Sequence, residues 1–458
     1  MRDKNVDLKE LDKSQLVELV ALLLARIATL EKQVAQLQKD DQKKVKKTSQ
    51  NSSIPPSQDQ KARRVAPTPA KRGPKAGHVG RSRPRLEPDE MIECRVLTCT
   101  QCGEDLGDRP QWIVGYHQVI DLPPLRPVVR EARRYRVTCP QCRCEQTADY
   151  VAGFERGRVF GAYLEQLVLY LHYAHPLSYE RVQGILFDLY GLKISEGALV
   201  NMVKRAQNAM RGGAQTIHQQ LKQAKVIGSD ETGARVQGQR YWQWVFQTPQ
   251  LAYHVIQPSR SAQVLTAVMG EAQPAVWVSD VLSSQMCHPA RAYQICLAHQ
   301  VRDLQYLIDI HACQWAHQVQ TLFLEAMRFQ KQRQALDEDA FITQRQDYEA
   351  RLDALLEFAP DQVESETLRG RFVKHRRALL LFLHREDVPP TNNASEQALR
   401  NSVIYRKVTG GFRTDWGAHL YADVISILET ARRQKRDIFP TLAAILSQQP
   451  VFDTPHSL

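Results

Sequence analysis

No stretch of this 458-residue chain stays apolar for the roughly 20 residues that a membrane-crossing helix requires, so no membrane partner is expected. A secretory leader is not expected either, because the first residues are charged and their apolar positions recur periodically instead of forming one block. Acidic residues are missing between Lys61 and Arg85, a run otherwise rich in Lys, Arg, Pro and Gly. Over the whole chain 61 Lys and Arg outnumber 50 Asp and Glu, for a formal charge of +11. That surplus favours a polyanionic partner. Without export signals the expected compartment is a reducing cytoplasm, where the nine cysteines are thiols or metal ligands and not disulfides.

The N-terminal part has a seam. Leu16, Leu23, Leu30 and Leu37 recur every seven residues, and Val20, Ile27 and Val34 fill the other apolar position. β-Branched residues at one seam position with Leu at the other favour a parallel two-stranded coiled coil. Residues 8–47 are therefore read as a coiled-coil helix, and the protein as a homodimer or higher oligomer. Residues 48–88 have no apolar periodicity and form a basic flexible linker: such a composition cannot bury enough surface to offset its ordering entropy. Its arginines can track phosphates without sequence preference.

Two Cys-x-x-Cys knuckles follow, Cys99 with Cys102 and Cys139 with Cys142, separated by 36 residues. Each carries a turn-forming Gly or Pro, and together they offer four thiolates to one tetrahedral, structural Zn2+ per chain. Residues 89–152 are read as this zinc-binding module, with a basic strand pair between Arg126 and Arg136 leading into the second knuckle. Structural zinc alone specifies no ligand, so contact with DNA stays open. Residues 153–222 read as a helical domain, with helices at 163–173, at 178–190 and from 195 to about 210. The short connection Gly191-Leu192-Lys193-Ile194 has helix-turn-helix spacing, which serves DNA readout or ordinary helix packing equally.

Beyond residue 223 the pattern changes. Runs at 224–228, 241–246, 252–256, 275–278 and 294–297 have strand composition, and 261–269 is helical between the third and fourth. Three strands, a helix and two more strands suggest a mixed sheet of ribonuclease-H type. Asp230 lies just past the first run, Asp280 just past the fourth, and Glu396 opens a later helix. Each Asp taken singly reads equally well as a strand-end or turn residue. Together the three acids are the hard oxygen donors, drawn from distant parts of a chain, that a two-metal phosphoryl-transfer site needs. From His299 to about Phe358 apolar residues recur at helical spacing. The fold class expected is a multidomain α+β protein: coiled coil, four-cysteine zinc-binding module, helical domain, and a ribonuclease-H-like catalytic core (223–300 and 389–458) holding an all-α insertion (301–388).

Four ordered blocks carry a family resemblance: Asp230-Glu231-Thr232-Gly233; Ser279-Asp280; Cys296-Leu297-Ala298-His299; and Pro389-Pro390-Thr391-Asn392-Asn393-Ala394-Ser395-Glu396-Gln397-Ala398-Leu399-Arg400. With the segment Arg406 to Arg413, they resemble the transposases of the insertion sequence 66 group, over residues from about 10 to about 440. The resemblance implies a DDE transposase whose acids are Asp230, Asp280 and Glu396. Two Mg2+ (or Mn2+) ions per active site would be held with Asp230 bridging, Asp280 on one ion and Glu396 on the other. Arg400, Arg406, Lys407 and Arg413 are the candidate DNA-binding side chains, and Cys296 and His299 a supporting pair. The implied partners are DNA (the terminal inverted repeats of the element and target DNA) and accessory proteins of the same element, in a bacterial, nucleoid-associated setting. Two other readings use the same features: a catalytically inactive zinc-finger coiled-coil DNA-binding regulator, and a ribonuclease-H-like nuclease without strand transfer.

Overall fold

A computed structural model describes residues 20, 21, 23–34, 48, 51 and 84–452 apart from 124 and 156. Residues 20, 21 and 23–34 are helical, and the seam residues Val20, Leu23, Ile27, Leu30 and Val34 are all exposed on that helix. Leu16, Leu37 and most of the linker lie outside the described residues.

Strand β1 (Arg136–Thr138) pairs antiparallel with β2 (Glu145–Thr147). The strand pair expected ahead of the second knuckle therefore straddles it instead. The cause is local: Arg143 N–H closes on the Cys139 carbonyl at 2.8 Å and Arg143 takes a left-handed φ of 55°. The Cys139 to Cys142 turn thus reverses the chain, and the strands form on either side of it.

A helical layer follows. Helix α1 (Ala162–Leu169) runs on as one π-helical turn to Ala174. Helix α2 (Tyr179–Tyr190) starts where Ser178 accepts from Arg181 N–H and stops at Gly191, whose φ is 67°. Helix α3 (Glu196–Arg205) is capped the same way by Ser195. The third helix, expected to reach about residue 210, ends at Arg205 and gives way to α4 (Gln207–Lys222). Apolar periodicity does not mark that break, since Met202, Val203, Ala206 and Met210 are all buried across it.

The sheet is built from β3 (Val226–Val236), β4 (Gln239–Gln247), β5 (Ala252–Gln257), β6 (Val276–Ser279) and β7 (Ala292–Ile295), with α5 (Ala262–Met269) crossing from β5 to β6. Its spatial order is β5-β4-β3-β6-β7. The first three strands are antiparallel, while β6 runs parallel to β3 and β7 parallel to β6. Gln237 and Gly238, with φ of 50° and 77°, make the two-residue turn that matches strand twist between β3 and β4. The fifth strand lies two residues earlier than the expected 294–297 run: Cys296 is already the extended N-cap, and Leu297 is the first residue of α6 (Leu297–His311).

Helices α6, α7 (Gln314–Gln330), α8 (Glu338–Glu357) and α9 (Val363–Lys374) share one apolar core. Leu304, Trp315, Phe323 and Phe372 sit in it together with Val276 and Val278 of β6. The chain then returns through α10 (Asn393–Thr409), α11 (Asp415–Arg433) and α12 (Ile438–Leu446). Helix α11 lies along β5, where His254 N–H donates to Ser426 Oγ at 2.8 Å. The architecture is mixed α+β, and no helix among the described residues is long and apolar enough to cross a membrane.

Candidate active site

Strands β3 and β6 run side by side with Gly228 opposite Val278. Asp230 and Asp280 each lie two residues further on, so the register alone brings them level at the end of the β3/β6 pairing. Successive strand side chains alternate faces, and Asp230 shares its face with its β4 partner Val245, which packs on Ala398 and Leu399 of α10. The first turn of α10 carries Glu396. Residues separated by 50 and 116 positions in the chain are thereby brought to the same end of the sheet, although among the described residues neither Asp230 nor Glu396 falls in the group of metal-capable side chains that includes Asp280.

The start of α10 is seated by buried polar contacts. A Cβ placed on Gly228 would stand 2.3 Å from Gln247 Nε2, 3.1 Å from Ser395 Oγ and 3.2 Å from Asn392 Oδ1, so a side chain there would have to displace the Gln247 amide and crowd the other two. Asn392 Nδ2 donates to the Ser229 carbonyl at 2.6 Å, and Ser395 Oγ donates to Asn392 Oδ1 at 2.6 Å. Asn392 N–H also points to Cys296 Sγ at 3.1 Å. One side chain thus fixes β3 beside Asp230, the helix turn that holds Glu396, and the strand end before α6. The sequence quotes Asn392 inside a motif, but its spacing gives no hint of this role.

His299, in the first turn of α6, stands between two of the acids. Its Nδ1 is 2.9 Å from Asp280 Oδ1 and its Nε2 is 3.7 Å from Glu396 Oε1. Burial alone would push the imidazolium down, but the neighbouring Asp280 carboxylate and Cys296 thiol outweigh it and carry His299 up to about 11. Arg302 approaches the other Glu396 oxygen at 4.0 Å. Burial first, then the charges of Asp280, Glu231 and Glu396, push Asp230 up to about 8 against the opposing hydrogen bond from Glu231 N–H. Despite the short contact, neither His299 Nδ1 nor Asp280 Oδ1 gains an aligned hydrogen bond, and Glu396 Oε1 is likewise buried without one. Buried orphan carboxylate oxygens are rare and call for a partner. Oxygen donors crowded against their own repulsion fit a hard divalent cation.

A fourth acid escaped the sequence reading. The Glu231 side chain is only 4% exposed and is clasped by Arg260 at 2.6 Å. Gln285, in the loop after Asp280, donates to Glu231 Oε2 and accepts from Ser229 Oγ at 2.8 Å. That loop is therefore tied to β3 on both sides of Asp230. Polar residues in a Ser-rich loop carry no periodic signal, so nothing in the sequence marked Gln285.

The candidate DNA-binding residues occupy α10 and the loop beyond it. Arg400 and Lys407 are exposed on the stripe of α10 that carries Glu396. Arg406 Nη1 lies 3.5 Å from where a Cβ on Gly233 would stand, and Arg413 is exposed after Gly410 and Gly411. Cys296 and His299 join Asp280 as the group of metal-capable side chains whose ligand atoms all lie within 4.8 Å of one another among the described residues.

Each knuckle is formed: Gly103 N–H closes on the Cys99 carbonyl at 2.9 Å, as Arg143 N–H does on Cys139. The N–H groups of Cys102 and Gln101 hold the Cys99 thiol below its ordinary range, and those of Cys142 and Gln141 do the same for Cys139. Cys99, Cys102, Cys139 and Cys142 are nevertheless not gathered into one ligand group among the described residues. The chain between the knuckles has no core to draw them together, as the 80%, 90% and 92% exposure of Trp112, Ile113 and Val114 shows.

A five-stranded mixed sheet with acids converging where its parallel strands end is the kind of core on which a transposase catalytic domain is built. Residues 157–420 match the family model described as Transposase IS66 family. That span is more than half of the chain, and the protein belongs to this family. Membership carries DNA binding, DNA-cleaving or DNA-joining activity in general, and a divalent metal as the usual cofactor. No curated protein matches the chain.

Proposed function

We propose that the protein is a DDE transposase that binds the terminal inverted repeats of its element and catalyses metal-dependent DNA cleavage and strand transfer, with Asp230, Asp280 and Glu396 as catalytic acids on a ribonuclease-H-like core. The observation that carries the reading is the β3/β6 register, which sets the two aspartates level beneath the helix turn of Glu396. The order of three antiparallel and two parallel strands supports the choice of core.

Asp230 would bridge two Mg2+ or Mn2+ ions, with Asp280 on one and Glu396 on the other. When bound, such ions lower the pKa of water and stabilise charge at the reacting phosphodiester. The chain's own groups do the rest. Asn392 and Gln285 hold the acids in register, and His299 stands between Asp280 and Glu396 as a positive charge. Arg400, Arg406 and Lys407 of α10 and Arg413 in the loop beyond it bind the DNA backbone. Nicking of a supercoiled plasmid with Mg2+, followed by joining of a labelled 3′-hydroxyl end to target DNA, tests the reading. A transposase gives both products; nicking without joining would mean a nuclease, and binding alone a regulator.

The knuckles support a second part of this reading: one structural Zn2+ held by Cys99, Cys102, Cys139 and Cys142, with the exposed helix of residues 20, 21 and 23–34 serving self-association. Preformed N–H contacts to Cys99 and Cys139 favour the thiolates that zinc requires. Elemental analysis should find one equivalent of zinc per chain. Chelation should open residues 89–152 to limited proteolysis while the sheet resists. A zinc-replete preparation carrying none would rule out the site.

A further inference from the structure

Strand β6 stops at Ser279, so β3 beyond Gly228 has lost its neighbour on that side. The loop after α10 fills the far end of this open edge. Val236 and Phe412 form a parallel bridge; Gln237 N–H donates to the Phe412 carbonyl and Phe412 N–H to the Arg235 carbonyl, each at 2.8 Å. Gly411 has a φ of 118°, and a Cβ there would meet the Arg235 carbonyl oxygen at 2.9 Å, so the loop lies flush on the strand only as glycine. Between loop and β-turn is an open cleft of about 430 Å3 whose lining includes Arg235, Gln237, Thr409, Gly410 and Arg413.

Two cations on this cleft are unspent. Arg235 and Arg413 are exposed. Neither has a carboxylate partner among the described residues, and the Arg235 guanidinium donates to the Gly238 carbonyl at 3.3 Å. The acid nearby, Asp415, is held by Gln237 at 3.0 Å. Several arginines elsewhere in the fold are spent on carboxylates, among them Arg205 on Glu165, Arg371 on Asp303 and Arg376 on Asp353, so what sets Arg235 and Arg413 apart is that both line one cleft. Arg406 lies over Gly233, between the cleft and the acids, and continues the positive track.

We propose that this cleft seats one backbone phosphate of bound DNA, distinct from the one that reacts, with Arg235 and Arg413 as its ligands. A planar guanidinium presents paired N–H donors that match phosphate oxygens. Arg235 is five residues beyond Asp230, about 17 Å along an extended strand. That spacing rests on the proposed active site; phosphate binding by the cleft does not.

The test is salt-dependent binding of the full-length protein to a labelled DNA duplex of arbitrary sequence, without added Mg2+. Losing one phosphate contact lowers the slope of log K against log salt by about 0.9. The double variant Arg235→Ala/Arg413→Ala should show that loss and each single variant part of it, and Arg235→Lys should recover part of the slope. Arg328→Ala, an exposed position on α7, should leave the slope unchanged. A parental slope in the double variant, with an unchanged thermal melt, would overturn the proposal. Plasmid nicking separates this from the active-site reading. Normal nicking with an unchanged slope sinks the cleft alone, whereas a reduced slope in a protein whose parent never nicks keeps the cleft and sinks the assignment of the acids.

Discussion

Glu396→Gln should abolish DNA nicking and strand joining, by at least about 100-fold, the upper end of what even a supporting partner of a metal ligand costs, while DNA-end binding stays nearly unchanged. The amide keeps the size of the side chain and removes its charge. The close contacts that seat α10 are those of Asn392 and Ser395, while Glu396 only approaches His299 at 3.7 Å and Arg302 at 4.0 Å, so the helix should keep its place. The substitution also removes one of the negative charges that push Asp230 up. Plasmid nicking, end joining and gel-shift binding on the same preparation measure all three effects. Joining at the parental rate would show that Glu396 is not the third acid. The search would then turn to the helical segment and to Glu429, an acid already paired with Arg432 at 3.0 Å.

Asn392→Ala should cost stability and activity together. Its side chain makes two buried hydrogen bonds, to the Ser229 carbonyl and from Ser395 Oγ, and Asn392 is 1% exposed. Removing it leaves a buried acceptor and a buried hydroxyl short of partners, at about 2–3 kcal/mol in all, readable by chemical denaturation. Nicking should fall further than DNA binding, because the seat of α10 loosens next to Asp230 while the cations along its outer stripe remain. Asn392→Asp keeps the acceptor for Ser395 but loses the donor to Ser229, and it adds a further negative charge beside the acids. It should therefore be the less active of the two in nicking. Parental stability and nicking in both variants would remove Asn392 from the positioning of Glu396.

The strand sequence was legible because Tyr241 to Phe246 is rich in aromatic and β-branched residues, because β5 alternates in burial along Ala252 to Ile256, and because α5 interrupts the strands with a distinct period. The error at β7 has a physical origin. Ile295 to Leu297 is one apolar run, and an apolar run cannot say where a buried strand ends and a buried helix begins. Placing each aspartate at a strand end was right for Asp280 but not for Asp230, which is the fifth residue of β3; what brings the two level is the end of the β3/β6 pairing. What seats Glu396 was not legible, since Gly228, Gln247 and Asn392 meet only through tertiary contacts. Glu231 and Gln285 were missed for the same reason. At the cysteines the spacing announced two knuckles and both are formed, but bringing them together depends on a long segment that the sequence pattern leaves without a core.

The short length of β6 also bears on synthesis of the chain. Beyond Gly228 the edge of β3 carries unpaired N–H and C=O groups, a template on which any extended chain can add. The segment that covers it, around Phe412, follows Val236 by 176 residues. At the roughly 5–20 residues per second of translation, the ribosome needs on the order of ten to thirty seconds to deliver it. For that interval the nascent sheet has a bare edge, so the helices made in between, α6 to α9, fold beside an unfinished strand. Aggregation during expression should therefore be set by how soon the Gly410-Gly411 loop can dock, a kinetic demand that the finished fold conceals.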